Sequence, residues 1–321
     1  MKEIIYIGGY SNYISIYMIE NGKINYINKI TGVKNPSYLN INKDFLYSVE
    51  ESEDGKIASY QILGNELKFV NELKLHASLP CYISTDKERK NLLVANYGSG
   101  SMILYGLKEN GAIDTEKKRI VYDKGSHIHF ADFIKNHIYV IDLGNDYIYI
   151  YNLKLECVNQ IKVEKGTGPR HLVVDNDENI LYVVTEYSNQ IFMYKKEGKE
   201  FVLKQEISTK QEKSIESYAS AIKMSKDNKY IYVTNRGENT ISVFEKKNDK
   251  LKQIQSISSY GDFPRDIILT EDENHILVAN QKSNSVVIFY RNRQDGTISE
   301  NQVSEIKIEK PSCIIRRRYG I

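Results

Sequence analysis

The chain contains no tryptophan, only three cysteines and only five prolines in 321 residues. Cys81, Cys157 and Cys313 stand far apart, with no Cys-x-x-Cys pair, so neither a disulfide framework nor a zinc cage is indicated. Few prolines and no low-complexity stretch leave little room for a disordered linker. Charge of neither sign dominates: 44 basic side chains face 42 acidic ones, for a net charge of +2. That balance makes no case for nucleic acid or a membrane as a partner. The basic run Arg316-Arg317-Arg318 reads as a solvated strand end. No apolar run approaches the ~20 residues needed to span a bilayer as a helix. The first residues, Met-Lys-Glu-Ile-Ile-Tyr-Ile-Gly-Gly, enter a strand and lack the apolar core of a signal peptide. A cytoplasmic location is therefore expected. Gly-x-Ser-x-Gly and His-Glu-x-x-His are both missing, which leaves serine-hydrolase and zinc-hydrolase chemistry unsupported.

What is present is a repeat. The large aromatics come almost entirely as tyrosine, 25 of them, a residue suited to half-buried strands. Similar segments begin at Pro36, Pro80, Ser126, Pro169, Ala219, Pro264 and Pro311, at intervals of 44, 46, 43, 50, 45 and 47 residues. Such a period, made of short β-runs, signals a propeller or related array. Each repeat reads as four strands. One copy runs Pro169 to Val174, Leu181 to Thr185, Gln190 to Tyr194 and Phe201 to Ile207, separated by the Asn, Asp, Ser and Gly of tight turns.

The ends fix the count. Pro311-Ser312-Cys313-Ile314-Ile315 is a first strand without successors, whereas Ile4 to Tyr10 matches a second strand without its first. Tyr13 to Ile19 and Lys23 to Ile30 supply a third and fourth. The expected fold is all-β: a seven-bladed β-propeller with four antiparallel strands per blade and one domain over 1–321. Its last blade is closed by the C-terminal strand and the N-terminal strands, which removes exposed edges. Six blades with loose ends is the alternative.

In such a ring the start of each first strand lies beside the end of each second strand, near the axis. The first column reads Ser37, Cys81, a histidine, Arg170, Ser220, Arg265 and Ser312. Alternation matches Arg170, Leu172 and Val174 to His129, Ala131 and Phe133, so His129 is the inward histidine, with His127 as fallback. The second column reads Tyr10, Glu51, Tyr97, Leu143, Glu186, Arg236 and Gln281. His129, Arg170, Glu186 and Arg236 would then line one arc, unless Glu186 and Arg236 form a plain salt bridge between blades. Asn96, Asn235 and Asn280 fit turn bonding. Asp142 and Asp146 fit turn capping more readily than orienting His129. His171 should alternate to the other side of its strand and serve structure.

The motifs Asn35-Pro36-Ser37, Asn96-Tyr97-Gly98-Ser99-Gly100, Asp142-Leu143-Gly144-Asn145-Asp146, Gly168-Pro169-Arg170-His171, Asn235-Arg236-Gly237, Phe263-Pro264-Arg265-Asp266 and Ala279-Asn280-Gln281 follow in order and in register. Together they resemble the β-propeller lactonase family, which holds the propeller-type 6-phosphogluconolactonases and the muconate cyclases. The resemblance implies chemistry on lactones, by hydrolysis of a sugar δ-lactone or by formation of a lactone ring. It places catalytic roles on His129, Arg170, Glu186 and Arg236. His127, Tyr97, Arg265, Gln281 and Glu51 are the candidate substrate contacts. No role is carried onto Tyr218-Ala219-Ser220, where the pattern departs. Hydrolysis needs a base, either Glu186 or His129, and donors for the oxyanion, which Arg170 and Arg236 can supply. A δ-lactone is already activated, so no cofactor or metal is expected. The expected partner is a small anionic lactone, in the first instance 6-phosphogluconolactone. A non-catalytic propeller binding a ligand or protein on the same face is the reading from another class.

Overall fold

The computed structural model describes residues 2–212 and 214–318. Among these, the strands form seven sheets of four. Six sheets follow the chain in order, and the seventh sets Pro311–Arg318 beside Lys2–Gly9, Tyr13–Glu20 and Lys23–Thr31. Both chain ends thus enter one sheet, as the incomplete repeats predict. The run Arg316 to Arg318 does close a strand, and Arg317 Nη2 lies 3.1 Å from Asp44 Oδ1.

The chain divides into two compact units. One comprises Gly166–Ile314, Met18–Asn25 and the first residues; the other comprises Ile5–Tyr17, Tyr26–Lys165 and the last ones.

In the first unit, three sheets begin at Pro169, Tyr218 and Pro264. Two of their second strands, Ile180–Thr185 and Tyr230–Arg236, are buried along their whole length. They read as continuous apolar, β-branched and aromatic runs because both faces are covered. The fourth strands, such as Glu200–Ser208, alternate with exposed residues. Between sheets the core is aliphatic and aromatic: Tyr232, Ile241 and Val243 pack with Ile267, Val278, Val287 and Phe289. Within this core sits a residue that the sequence did not mark. Arg291 is 1% exposed, with its guanidinium carbon 5.5 Å from the Tyr232 ring centroid. Its Nη1 donates to the Glu273 carbonyl at 3.1 Å and lies 3.6 Å from Glu273 Oε2.

In the second unit, three sheets begin at Leu39, Pro80 and Ile128. Tyr47, Val49 and Ile57 pack with Ile83, Val94, Ile103 and Tyr105 in the same manner. The turn after Ile128–Ile134 is short, with Ile134 pairing directly with His137. The missing residues therefore lie in the turn, not in the strand, so Ile128–Ile134 aligns with Pro169–Val174 without a gap.

Candidate active site

Four of the first strands share one irregularity. Pro169 pairs with Thr185 and His171 with Val184, so Arg170 is an extra, bulged residue. Cys81 stands between the pairs Pro80–Asn96 and Tyr82–Ala95, and Arg265 between Pro264–Asn280 and Asp266–Ala279. His129 is likewise bulged between Ile128–Asp142 and Phe130–Ile141, which makes it the counterpart of Arg170. A bulge re-aims a side chain and interrupts strict alternation. This corrects the expectation for His171: it does not simply turn away from Arg170, since its Nε2 lies 3.5 Å from Arg170 Nη1. Both residues are buried.

In the unit Gly166–Ile314, the bulge carries Arg170 to Glu186. Arg170 Nε lies 3.0 Å from Glu186 Oε2, and Arg236 Nη2 lies 2.8 Å from the same oxygen. The two guanidinium groups are held from behind by backbone. Arg170 Nη1 donates to the Ser220 carbonyl at 2.7 Å; Arg236 donates from Nε to the Tyr218 carbonyl at 3.1 Å and from Nη2 to the Ala219 carbonyl at 3.2 Å. Tyr218 to Ser220, the segment given no role from sequence, is thus the cradle for both arginines. Backbone acceptors leave no side-chain signature, so no motif could have found it. Arg236 Nη1 makes no hydrogen bond among the described residues, which leaves one donor for a ligand.

Glu186 is held by its own backbone as well, its N–H donating to the Gly168 carbonyl at 2.6 Å. Gly168 adopts φ +63°, a left-handed conformation that a side chain disfavours, and an added Cβ would come 2.5 Å from Tyr187 Cδ2. The exposed Tyr187 can move, but the backbone cannot. Gly168→Ala should cost about 1–2 kcal/mol of stability, read from urea unfolding midpoints.

The electrostatics follow from the count of charges. Burial alone would raise the Glu186 carboxyl, but the positive charges of Arg236, Arg170 and Arg265 outweigh it and hold the group below its ordinary value. Burial and the neighbouring Arg170 push Arg236 down to about 10, despite Glu186, so it stays protonated at neutral pH. Two guanidinium groups paired with one carboxylate leave the pair positive. Because the folded-state value of Glu186 is depressed, its stabilising contribution is present above the ordinary carboxylate range. That contribution is lost as pH falls through the depressed value.

Gln281 follows a buried second strand, its N–H donating to the Phe263 carbonyl at 3.0 Å. Arg236 also lies over an aromatic face, its Cζ 5.2 Å from the Phe263 centroid. Phe263 was not singled out in the sequence, where it reads only as part of the Phe-Pro-Arg-Asp motif.

In the unit Tyr26–Lys165, the His127 ring stacks on Tyr97, with centroids 4.3 Å apart and planes at 11°. His127 Nδ1 lies 3.0 Å from the Tyr97 carbonyl, an acceptor only, so Nδ1 carries the proton. The His129 ring meets Tyr97 edge-on, with centroids 5.9 Å apart. The structure therefore brings His127, His129 and Tyr97 together. Asp142 caps the adjoining turn: it accepts from Ser126 Oγ at 2.6 Å and from the backbone N–H groups of His127, Gly144 and Asn145. It fixes the chain around His127 rather than touching an imidazole. Glu51 accepts the Tyr10 hydroxyl at 3.0 Å on each carboxylate oxygen.

Residues 4–316 match the family described as Lactonase, 7-bladed beta-propeller. The 6-phosphogluconolactonase of Bacillus subtilis (strain 168) is 31% identical over 303 residues, spanning 87% of this chain and 86% of the relative. That of Formosa agariphila is 30% identical over 312 residues, spanning 88% of each. A solved structure from Lactobacillus plantarum superposes with a TM-score of 0.94 at 30% identity, covering 99% of this chain and 100% of that one. The chain belongs to the seven-bladed β-propeller lactonase family. It is an enzyme of the lactone-hydrolysing kind, and its seven four-stranded sheets are the blades, so six blades with loose ends is excluded.

Proposed function

We propose that this lactonase hydrolyses 6-phosphogluconolactone to 6-phosphogluconate in the cytoplasmic pentose phosphate pathway, as one propeller domain. The observation that carries the reading is the excess of positive charge on Glu186: two guanidinium groups meet one carboxylate oxygen, with a donor on Arg236 left over. Such a cluster selects an anionic ligand and can stabilise an oxyanion. The names of relatives at about this identity support the same substrate.

In this mechanism water attacks the lactone carbonyl carbon while Glu186 takes its proton. The carbonyl oxygen becomes an oxyanion and accepts a hydrogen bond from Arg236 Nη1. Collapse of the tetrahedral intermediate breaks the bond between the acyl carbon and the ring oxygen. The proton passes from Glu186 to that oxygen, giving the open hydroxy acid. A carboxyl held low by arginines is a weak base in the empty enzyme. An anionic substrate that neutralises part of the guanidinium charge raises it, so basicity increases when substrate arrives. His129 is the competing base, and it is distinguishable: an imidazole gives an acid limb near pH 6.5, Glu186 one below about pH 4.3 in kcat/KM.

The test is acid release from freshly prepared 6-phosphogluconolactone, measured against spontaneous hydrolysis. Acceleration is expected; a rate equal to the spontaneous one would overturn the reading. Arg236→Ala should lower kcat/KM by about 10²-fold or more, the scale for losing an oxyanion donor. A wild-type rate in that variant would remove Arg236 from the chemistry.

A further inference from the structure

A second cation shares the Phe263 ring with Arg236. Lys282 Nζ stands 3.9 Å from the ring centroid, well inside cation–π range. Lys282 is exposed and makes no ion pair among the described residues. Asp262, whose carbonyl accepts the Lys282 N–H, has Oδ1 engaged by Asn239 Nδ2 at 2.9 Å. Arg236, by contrast, spends part of its charge on Glu186. The two cations on one ring therefore differ in kind: one is buried and paired, the other solvated and available.

Phe263 holds this arrangement at a cost. It adopts φ +66°, uncommon for any residue with a side chain and more so for a bulky one. Two hydrogen bonds hold the conformation. Its N–H donates to Asn239 Oδ1 at 2.9 Å, and its carbonyl accepts the Gln281 N–H at 3.0 Å. The Lys282 N–H donates to the Asp262 carbonyl at 3.0 Å, which ties both partners of the ring contact to one pair of turns. The residue before the first-strand proline also has positive φ at Asn35, Leu79, Gly168 and Lys310, so the conformation belongs to the repeat, and in this blade it is an aromatic ring that it positions.

We propose that Lys282 is the specificity-determining residue for the phosphate of the substrate, with Phe263 as the positioning residue that sets it beside the Glu186 cluster. The inference rests on the lactonase reading above. Catalysis needs Arg170 and Arg236 at the acyl carbon, and both are committed to Glu186. A phosphate at the far end of the sugar needs its own positive charge, and an ammonium on a flexible stem suits it as a point charge. Arg265, whose charge reaches Glu186 and Arg236, reinforces the positive field between them.

Calorimetric binding of 6-phosphogluconate and of gluconate separates this from the reading it rests on, since neither titration requires turnover. The wild-type protein should prefer the phosphorylated acid. Lys282→Gln should reduce that preference about tenfold or more, the scale of one charged hydrogen bond, and Lys282→Arg should restore most of it. Phe263→Leu should give an intermediate loss, with the remaining preference falling further as salt rises. An unchanged preference in Lys282→Gln, or equal weakening of both acids, would overturn the proposal. Loss of hydrolysis with the preference intact would sink the lactonase reading and leave the phosphate subsite standing.

Discussion

Glu186→Gln should lower kcat on a δ-lactone by about 10²-fold or more, without raising KM for an anionic substrate. The substitution keeps the shape of the side chain and removes its capacity to take a proton. It also strips the cluster of its one negative charge, so Arg170 and Arg236 meet an incoming anion with more positive charge than before. Catalysis and anion binding should therefore move apart. A plain structural salt bridge predicts otherwise, with stability lost and KM raised by disordered arginines. The pH profile adds a second readout. Because the Glu186 carboxyl lies below its ordinary value, the wild-type acid limb should fall below about pH 4.3, and it should vanish in Glu186→Gln. A limb near neutrality in both proteins would assign the proton transfer to an imidazole, and His129→Gln would then carry the effect.

Arg291→Ala should cost about 3–5 kcal/mol of stability, the largest single loss expected outside the site. The guanidinium lies in the aromatic core beside Tyr230 and Tyr232, and its removal leaves the buried Glu273 carboxylate without its counter-charge. A cavity would be added to an unpaired charge. Pairing Arg291→Met with Glu273→Gln should recover much of the loss, because a buried ion pair is replaceable as a unit. Urea unfolding midpoints measure both variants. A change under 1 kcal/mol in Arg291→Ala would mean that the pair is solvated in solution.

The blades were legible because the turn residues and the apolar second strands recur at nearly constant spacing, and because both chain ends carry fragments of the same repeat. Register at His129 was legible for a local reason. The deletion lies in the two-residue turn after Ile134, so Ile128–Ile134 aligns with Pro169–Val174 without a gap and His129 falls on the same bulged position as Arg170. The behaviour of His171 was not legible. Alternation assumes an unbroken ladder, and the bulge at Arg170 adds a residue that no composition rule reveals. The cradle for the arginines was hidden for another reason. Tyr218, Ala219 and Ser220 act through carbonyl oxygens, which every sequence possesses. Arg291 carries no mark in the sequence, since its burial depends on Tyr232 and Glu273 arriving from elsewhere in the chain.

The central claim is that an anionic sugar lactone is opened at the Glu186 cluster. A crystal structure with 6-phosphogluconate bound tests it most directly. The product carboxylate should lie within hydrogen-bond distance of Arg236 Nη1 and the phosphate against Lys282. Product bound at any position out of reach of Glu186, Arg170 and Arg236 would contradict it.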